Sequence, residues 1–127
     1  MTEKAVEWVG SSLEDLRAMP GDVKQEFGYA LSRVQNNESH PAIKPWTGEP
    51  GVQEIRVNDA DSTYRTVYVV NLPDAIYVLH AFKKKSSSGI ATPQKDKDIV
   101  SARLSKARKQ SRARIKAQEE EKKGRSK

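Results

Sequence analysis

The chain contains no cysteine among its 127 residues. That excludes a disulfide framework, a thiolate nucleophile and any Cys-ligated zinc or iron–sulfur site. Histidine is almost as scarce: His40 and His80 stand 40 positions apart and form no recognisable metal motif. No cofactor and no metal are called for. Long hydrophobic runs are missing too. The stretch Thr66–Leu72 is already interrupted by Asn71, far short of the roughly 20 apolar residues that span a bilayer. The first eight residues include Glu3, Lys4 and Glu7 and lack the apolar region of a signal peptide. The expectation is a soluble, cytoplasmic protein with no membrane partner. Hydrophobic residues make up 35% of the chain and the mean hydropathy is −0.80, so its core is modest.

Charge is abundant and unevenly spread. There are 23 Lys and Arg against 17 Asp and Glu, a net +6. Residues 1–80 carry 7 basic and 12 acidic side chains, a net −5, and residues 81–127 carry 16 and 5, a net +11. Basicity gathered at one end points to a polyanionic partner.

Periodicity then orders the chain. Lys4 to Val9 reads as a short strand. Ser11 or Ser12 is placed to cap a helix reaching Arg17, with Leu13 and Leu16 as an apolar pair. Met19-Pro20-Gly21 ends that helix. Asp22 has the features of an N-cap, with Gln25 completing a capping box. Val23, Phe27, Ala30, Leu31 and Val34 then give one apolar helical face to about Asn36. Asn37 to Gly51, with three prolines, reads as a loop in which Trp46 covers one end of the core. Val52–Asn58, Thr63–Leu72 and Ala75–Lys83 follow as strands of an antiparallel meander. They are separated by turns at Asn58–Asp61 and Leu72–Asp74.

Ser86–Gly89 reads as a flexible loop. Pro93 suits the first turn of a last helix, with Asp96 and Asp98 near its positive end. Its apolar stripe fails beyond about Lys106, and Glu119–Lys127 reads as disordered. The fold class is α+β: a small antiparallel sheet, an N-terminal helical hairpin and a C-terminal helix, with the helices on one face.

Candidate chemistry gathers at the sheet. Arg56 and Arg65 lie on consecutive strands, and the third strand runs into Lys83, Lys84 and Lys85. Fixed cations on one rim are what a phosphodiester needs when extra charge develops on phosphorus. The alternative is that Arg56 merely pairs with Glu54 and the lysines guard an edge. By strand alternation His80 shares a face with Ile76, Val78 and Phe82, and is open to two roles: a half-buried structural histidine, or a proton carrier. Tyr64, Tyr68, Tyr77 and Phe82 are open to core packing or to base stacking. Arg103, Lys106, Arg108, Lys109, Arg112, Arg114 and Lys116 form a basic helical run open to two readings, an RNA-phosphate contact or a solvated helical tail.

Four local strings, in order, carry a resemblance. Lys44-Pro45-Trp46-Thr47-Gly48 leads into Gly51-Val52-Gln53-Glu54-Ile55-Arg56, then Tyr64-Arg65-Thr66-Val67-Tyr68. Last comes Tyr77-Val78-Leu79-His80-Ala81-Phe82-Lys83-Lys84-Lys85-Ser86, closed by Gly89-Ile90-Ala91-Thr92-Pro93 before a helix. Over about residues 4–108 the chain resembles the RelE/ParE superfamily of toxins, most of all its phage-derived HigB-like branch. The resemblance implies a RelE-like fold in residues 1–108, with residues 109–127 a basic, partly disordered tail.

It also implies a type II toxin that cleaves mRNA in the ribosomal A site without a metal, using the ribose 2′-OH as nucleophile. A cognate antitoxin, often of helix-turn-helix type, would be its partner in a hetero-oligomer. Arg65 matches the strand arginine that contacts the scissile phosphate. Arg56 matches a basic position on the preceding strand, and Lys84, with Lys83 beside it, the basic position after the last strand. Glu54 stands where RelE is basic, as general base or structural group. RelE's C-terminal tyrosine has no counterpart, because the stretch reads Ser88-Gly89-Ile90, which leaves His80 or Glu54 as proton carriers, or a mechanism resting mainly on electrostatics. A gyrase inhibitor of ParE type and a non-catalytic RNA-binding protein are the competing readings.

Overall fold

The computed structural model of the chain describes residues 4–60, 62–85 and 92–125, the side chains of Lys85 and Arg125 excepted. The expected Ser86–Gly89 loop and Asp61 of the expected Asn58–Asp61 turn lie outside the described residues. Eight elements follow one another: β1 (Val6–Trp8), α1 (Ser12–Arg17), α2 (Gly21–Gln35), β2 (Ile43–Pro45), β3 (Val52–Asp59), β4 (Ser62–Val69), β5 (Ile76–Lys85) and α3 (Gln94–Arg125). The strands form one sheet in the order β1-β5-β4-β3-β2. The α+β class and the meander β3–β4–β5 are as expected. At one edge, however, β1 pairs parallel to β5, with Val6 opposite Ile76, so the sheet is mostly rather than wholly antiparallel. At the other edge the expected loop contributes β2, where Ile43 faces Ile55. An edge strand tolerates Pro45, whose missing N–H costs no ladder bond on the open side.

The helices occupy both faces of the sheet, not one. On the first face Leu16, Met19, Val23, Phe27, Ala30 and Leu31 of the α1–α2 hairpin pack on Ile55, Val57, Tyr64, Tyr68, Ile76 and Val78. On the second, Val100, Leu104 and Ala107 of α3 pack on Val52, Val67, Val69, Tyr77 and Leu79, with Trp46 buried at the margin. Central strands β4 and β5 are apolar on both sides, which calls for a cover on each. Fully burying a side chain such as Phe27 or Leu104 contributes about 1.5–3 kcal/mol, and the two stripes together hold the layers.

Two helix details depart from expectation. α2 begins at Gly21 with Pro20 in the N-cap position and no side-chain cap bond. Asp22 therefore sits inside the first turn, where its charge still favours the helix dipole. α3 runs unbroken to Arg125, so Glu119 to Arg125 is helical rather than disordered; its Glu, Lys, Gln and Ala residues are strong helix formers. The buried stripe of α3 also extends past Lys106. Ala107 and Ser111 are buried, and the Ser111 hydroxyl donates to Asp74 Oδ1. Arg114 lies 3.0 Å from Glu7 Oε1 and 3.7 Å from Asp74 Oδ2, and the Tyr77 hydroxyl donates to Asp74 at 2.6 Å. Burial alone would raise the Asp74 pKa. The bonds from Ser111, Tyr77 and its own backbone, with Arg114 beside it, outweigh that and hold it below the ordinary carboxylate value.

Candidate active site

Register decides which side chains meet. Glu54 is opposite Val67, and Arg56 is opposite Arg65. Across the next ladder Val67 is opposite His80, Arg65 opposite Phe82 and Thr63 opposite Lys84. Cross-strand partners share a face, so Glu54, Arg56, Arg65, His80 and Lys84 all stand on the α3 side of the sheet. Arg65 is at the centre, with Arg56 beside it on β3 and Lys84 diagonal to it on β5.

A bulge makes this grouping possible. Pairing steps from Val67–His80 to Tyr68–Val78, leaving Leu79 as the extra residue. Two successive side chains then point to one side. Leu79 and His80 both join the α3 face, whereas Ile76 and Val78 pack beneath α2. The alternation expected for β5, with His80 on the face of Ile76 and Val78, is thus broken in mid-strand. Nothing in the apolar pattern of Ala75–Lys83 marks the extra residue.

Glu54 holds the arginines. It is 2% exposed; its Oε1 accepts a bond from Arg56 Nε at 2.5 Å and lies 3.6 Å from Arg65 Nη1. Arg65 is buried as well and donates from Nη1 to the Thr92 hydroxyl at 2.9 Å, while its Nε is buried without a partner among the described residues. Burial is the main pull on its pKa, downwards; Glu54 opposes this, Arg56 adds to it and Asp96 opposes it. An arginine has a wide margin before it loses its proton, so Arg65 is a fixed, poorly hydrated cation. Arg56 has 44% of its side chain exposed. Lys84 is half-buried, and its pKa is lowered by burial first and then by Arg65 and Arg56, against Glu54.

His80 lies under this surface. It is 6% exposed, its Nε2 is 2.7 Å from Asp96 Oδ1, its Nδ1 is buried without a partner among the described residues, and its ring stacks on Phe82 at 4.7 Å. It thereby ties the first turn of α3 to the sheet, which favours the structural of its two expected roles. Thr92 and Asp96, absent from the sequence-based site, arrive with that turn. Pro93 placed the start of the helix, but only the tertiary packing sets it against β4 and β5.

The other expected cations go elsewhere. Lys83 faces the α2 side, with its Nζ 5.9 Å from the centre of the Tyr64 ring. Lys85 ends β5 and its side chain is outside the description. Arg103 is a structural pin: it donates to Leu79 O and to Ser11 Oγ, both at 3.0 Å, rather than facing solvent. It passes close over Gly10, which has φ +58° and where a Cβ would stand 2.7 Å from Arg103 Nε. Lys106 is exposed, about 15 Å along α3 from Asp96. Tyr68 and Tyr77 are fully buried and Tyr64 and Phe82 nearly so, which makes the strand aromatics core. Among the described residues no group of His, Asp and Glu could hold a metal ion, and no helix is long and apolar enough to cross a membrane.

The family model described as Phage derived protein Gp49-like (DUF891) matches residues 14–105. The chain belongs to the phage-derived Gp49-like family. No curated protein sequence matches it. Among solved structures, the Gp49-like chain is similar to a double arginine-to-alanine mutant of the E. coli toxin RelE in the free state. The TM-score is 0.53 at 16% identity, covering 83% of this chain and 98% of that one. At such identity the likeness is one of fold, and the fold is RelE-like. All five clustered residues fall inside the family-matched region, and the last 22 residues fall outside it.

Proposed function

We propose that this Gp49-like chain is the toxin of a type II toxin–antitoxin pair and an endoribonuclease acting on mRNA in the ribosomal A site. The observation that carries the reading is Arg65, a buried and fixed guanidinium flanked by Arg56 and Lys84 on one sheet face. Arg65 and Arg56 against the Glu54 carboxylate leave a net +1 before substrate arrives, and Lys84 adds a further positive charge once it carries a proton. That suits a phosphodiester and suits better the extra charge of a phosphorane. The RelE-like fold and the family membership support the toxin reading, and a cognate antitoxin, often of helix-turn-helix type, is the partner it implies.

In the proposed reaction the ribose 2′-oxygen forms a bond to phosphorus and the bond from phosphorus to the 5′-oxygen breaks. Arg65 and Arg56 bind the non-bridging oxygens. Lys84, whose pKa is lowered by burial and by Arg65 and Arg56, takes the 2′-OH proton from its unprotonated form, and the departing 5′-oxygen is protonated from solvent. Glu54 is a positioning residue that fixes both guanidiniums, since its oxygen is already engaged by them. His80 positions the first turn of α3 through Asp96. The experiment is in vitro translation of a defined mRNA with the purified protein, followed by end analysis. Cuts that need ribosomes and leave a 2′,3′-cyclic phosphate and a 5′-OH are expected. Intact mRNA alongside gyrase-dependent double-strand breaks would replace this reading with that of a gyrase inhibitor.

A further inference from the structure

The net positive charge of the protein arises beyond the family-matched region. Residues 1–105 hold 13 Lys and Arg against 14 Asp and Glu, a net −1, and residues 106–127 hold 10 against 3, a net +7. The family match ends at residue 105, but α3 does not. Within this extension Lys106, Lys109, Arg112 and Lys116 are exposed. Their spacing of 3, 3 and 4 puts them on one side of the helix, opposite the buried stripe of Val100, Leu104, Ala107 and Ser111. None of the four has a carboxylate in ion-pairing distance among the described residues. The row spans about 15 Å. It is held rigidly, because Ser111 and Arg114 anchor the same stretch of helix to Asp74 and Glu7.

We infer that this face of α3 is a second nucleic-acid contact, separate from the Arg65 site, which grips the phosphate backbone of double-helical RNA. The chemistry of the face selects that partner. A partner helix or groove would need apolar side chains to bury, yet the exposed large hydrophobic residue among those described is Tyr29, on α2. A membrane surface would need an apolar stripe opposite the charges, and here that side is packed on the sheet. Unstacked single strands would need aromatic platforms, and no Phe, Tyr or Trp follows Phe82. What remains is a regular array of phosphates, bound by charge without sequence preference. The choice of RNA over DNA rests on the proposed function; the contact itself does not.

The test is binding of the full chain to a short RNA duplex, measured by fluorescence anisotropy over a salt series. The wild type is compared with a variant carrying Lys106→Gln, Lys109→Gln, Arg112→Gln and Lys116→Gln. Glutamine keeps helix propensity, and the four side chains support no packing, so helicity and Tm stay at wild-type values. The slope of log affinity against log salt should fall by about 3, and low-salt affinity by at least about tenfold. A paired Lys106→Gln, Lys109→Gln variant should show about half that change in slope. Arg65→Ala should bind the duplex at wild-type strength while losing cleavage, so failure of the active-site reading and failure of this one are distinguishable. An unchanged slope in the fourfold variant overturns the inference, and tighter binding of duplex DNA than of duplex RNA overturns its choice of RNA.

Discussion

Replacing Glu54 by Gln keeps the shape of the side chain and removes the charge that holds two guanidiniums. Glu54 Oε1 lies 2.5 Å from Arg56 Nε and 3.6 Å from Arg65 Nη1. At 3.6 Å and an effective dielectric of about 20, the attraction to Arg65 is about 4–5 kcal/mol. Less than that stabilises the fold, because both ions have left water. Arg56, with 44% of its side chain exposed, can turn to solvent and recover its hydration, so its pair contributes at most about 1 kcal/mol. Arg65, with 10% exposed, cannot, and would be left buried next to Arg56. The expected loss is about 2–3 kcal/mol, at or just below the roughly 3–5 kcal/mol that breaking a fully buried pair costs, because the partner Arg56 is part-exposed. For a chain of this size that is a fall in Tm of roughly 6–15 °C.

Urea titration and thermal melts at pH 7 measure the loss, and single-turnover cleavage on programmed ribosomes gives the second readout. As a positioning residue Glu54 should cost no more than about tenfold in rate, whereas removal of a general base costs about a hundredfold or more. A Tm within 2 °C of wild type would refute the holding role. A rate loss well beyond a hundredfold in a stably folded variant would refute positioning.

Three other expectations follow from the packing and the site. Leu104→Ala, which empties a position 2% exposed beneath α3, should cost about 2–5 kcal/mol in denaturant unfolding; a cost under 1 kcal/mol would mean that α3 is not packed there. Asp74 has a lowered folded pKa, so its stabilising contribution is present above the ordinary carboxylate range and is lost as pH falls through the folded value. The Tm difference between wild type and Asp74→Asn should therefore be full at pH 7 and vanish in strong acid, and a difference independent of pH would contradict the clamp. Lys84→Arg keeps the charge but removes an amine that can titrate. It should bind RNA within about threefold of wild type yet cleave about a hundredfold more slowly. The wild-type rate should rise with pH and level off below the usual lysine range, and full activity in Lys84→Arg would rule out Lys84 as the proton acceptor.

The cluster was legible in the sequence to the extent that strand order and local strings fixed it. Arg56 and Arg65 fall opposite one another because a short turn joins β3 to β4, and Lys84 follows from the length of the next strand. What was not legible has definite causes. The bulge at Leu79 moves His80 to the other face without leaving a mark in an apolar run. The α3 cover on the second face depends on β4 and β5 being apolar on both sides; their near-continuous apolar runs call for two covers but do not say which helix supplies the second. Asp96 reads as a helix-dipole residue and also meets His80, and Arg103 reads as an RNA ligand although its guanidinium is spent on Leu79 O and Ser11. Long charged side chains serve packing and recognition alike, and only their partners tell which.

The central claim is that Arg65 carries the charge that binds and stabilises the reacting phosphate. Its most direct test is single-turnover cleavage of mRNA on programmed ribosomes by Arg65→Ala and Arg65→Lys, each checked for wild-type helicity and a cooperative melt. Loss of one fixed donor to a developing oxyanion costs about 10²–10³ in rate, so the account predicts a loss of that size for Arg65→Ala and partial recovery in Arg65→Lys. Cleavage within threefold of wild type in folded Arg65→Ala would contradict it.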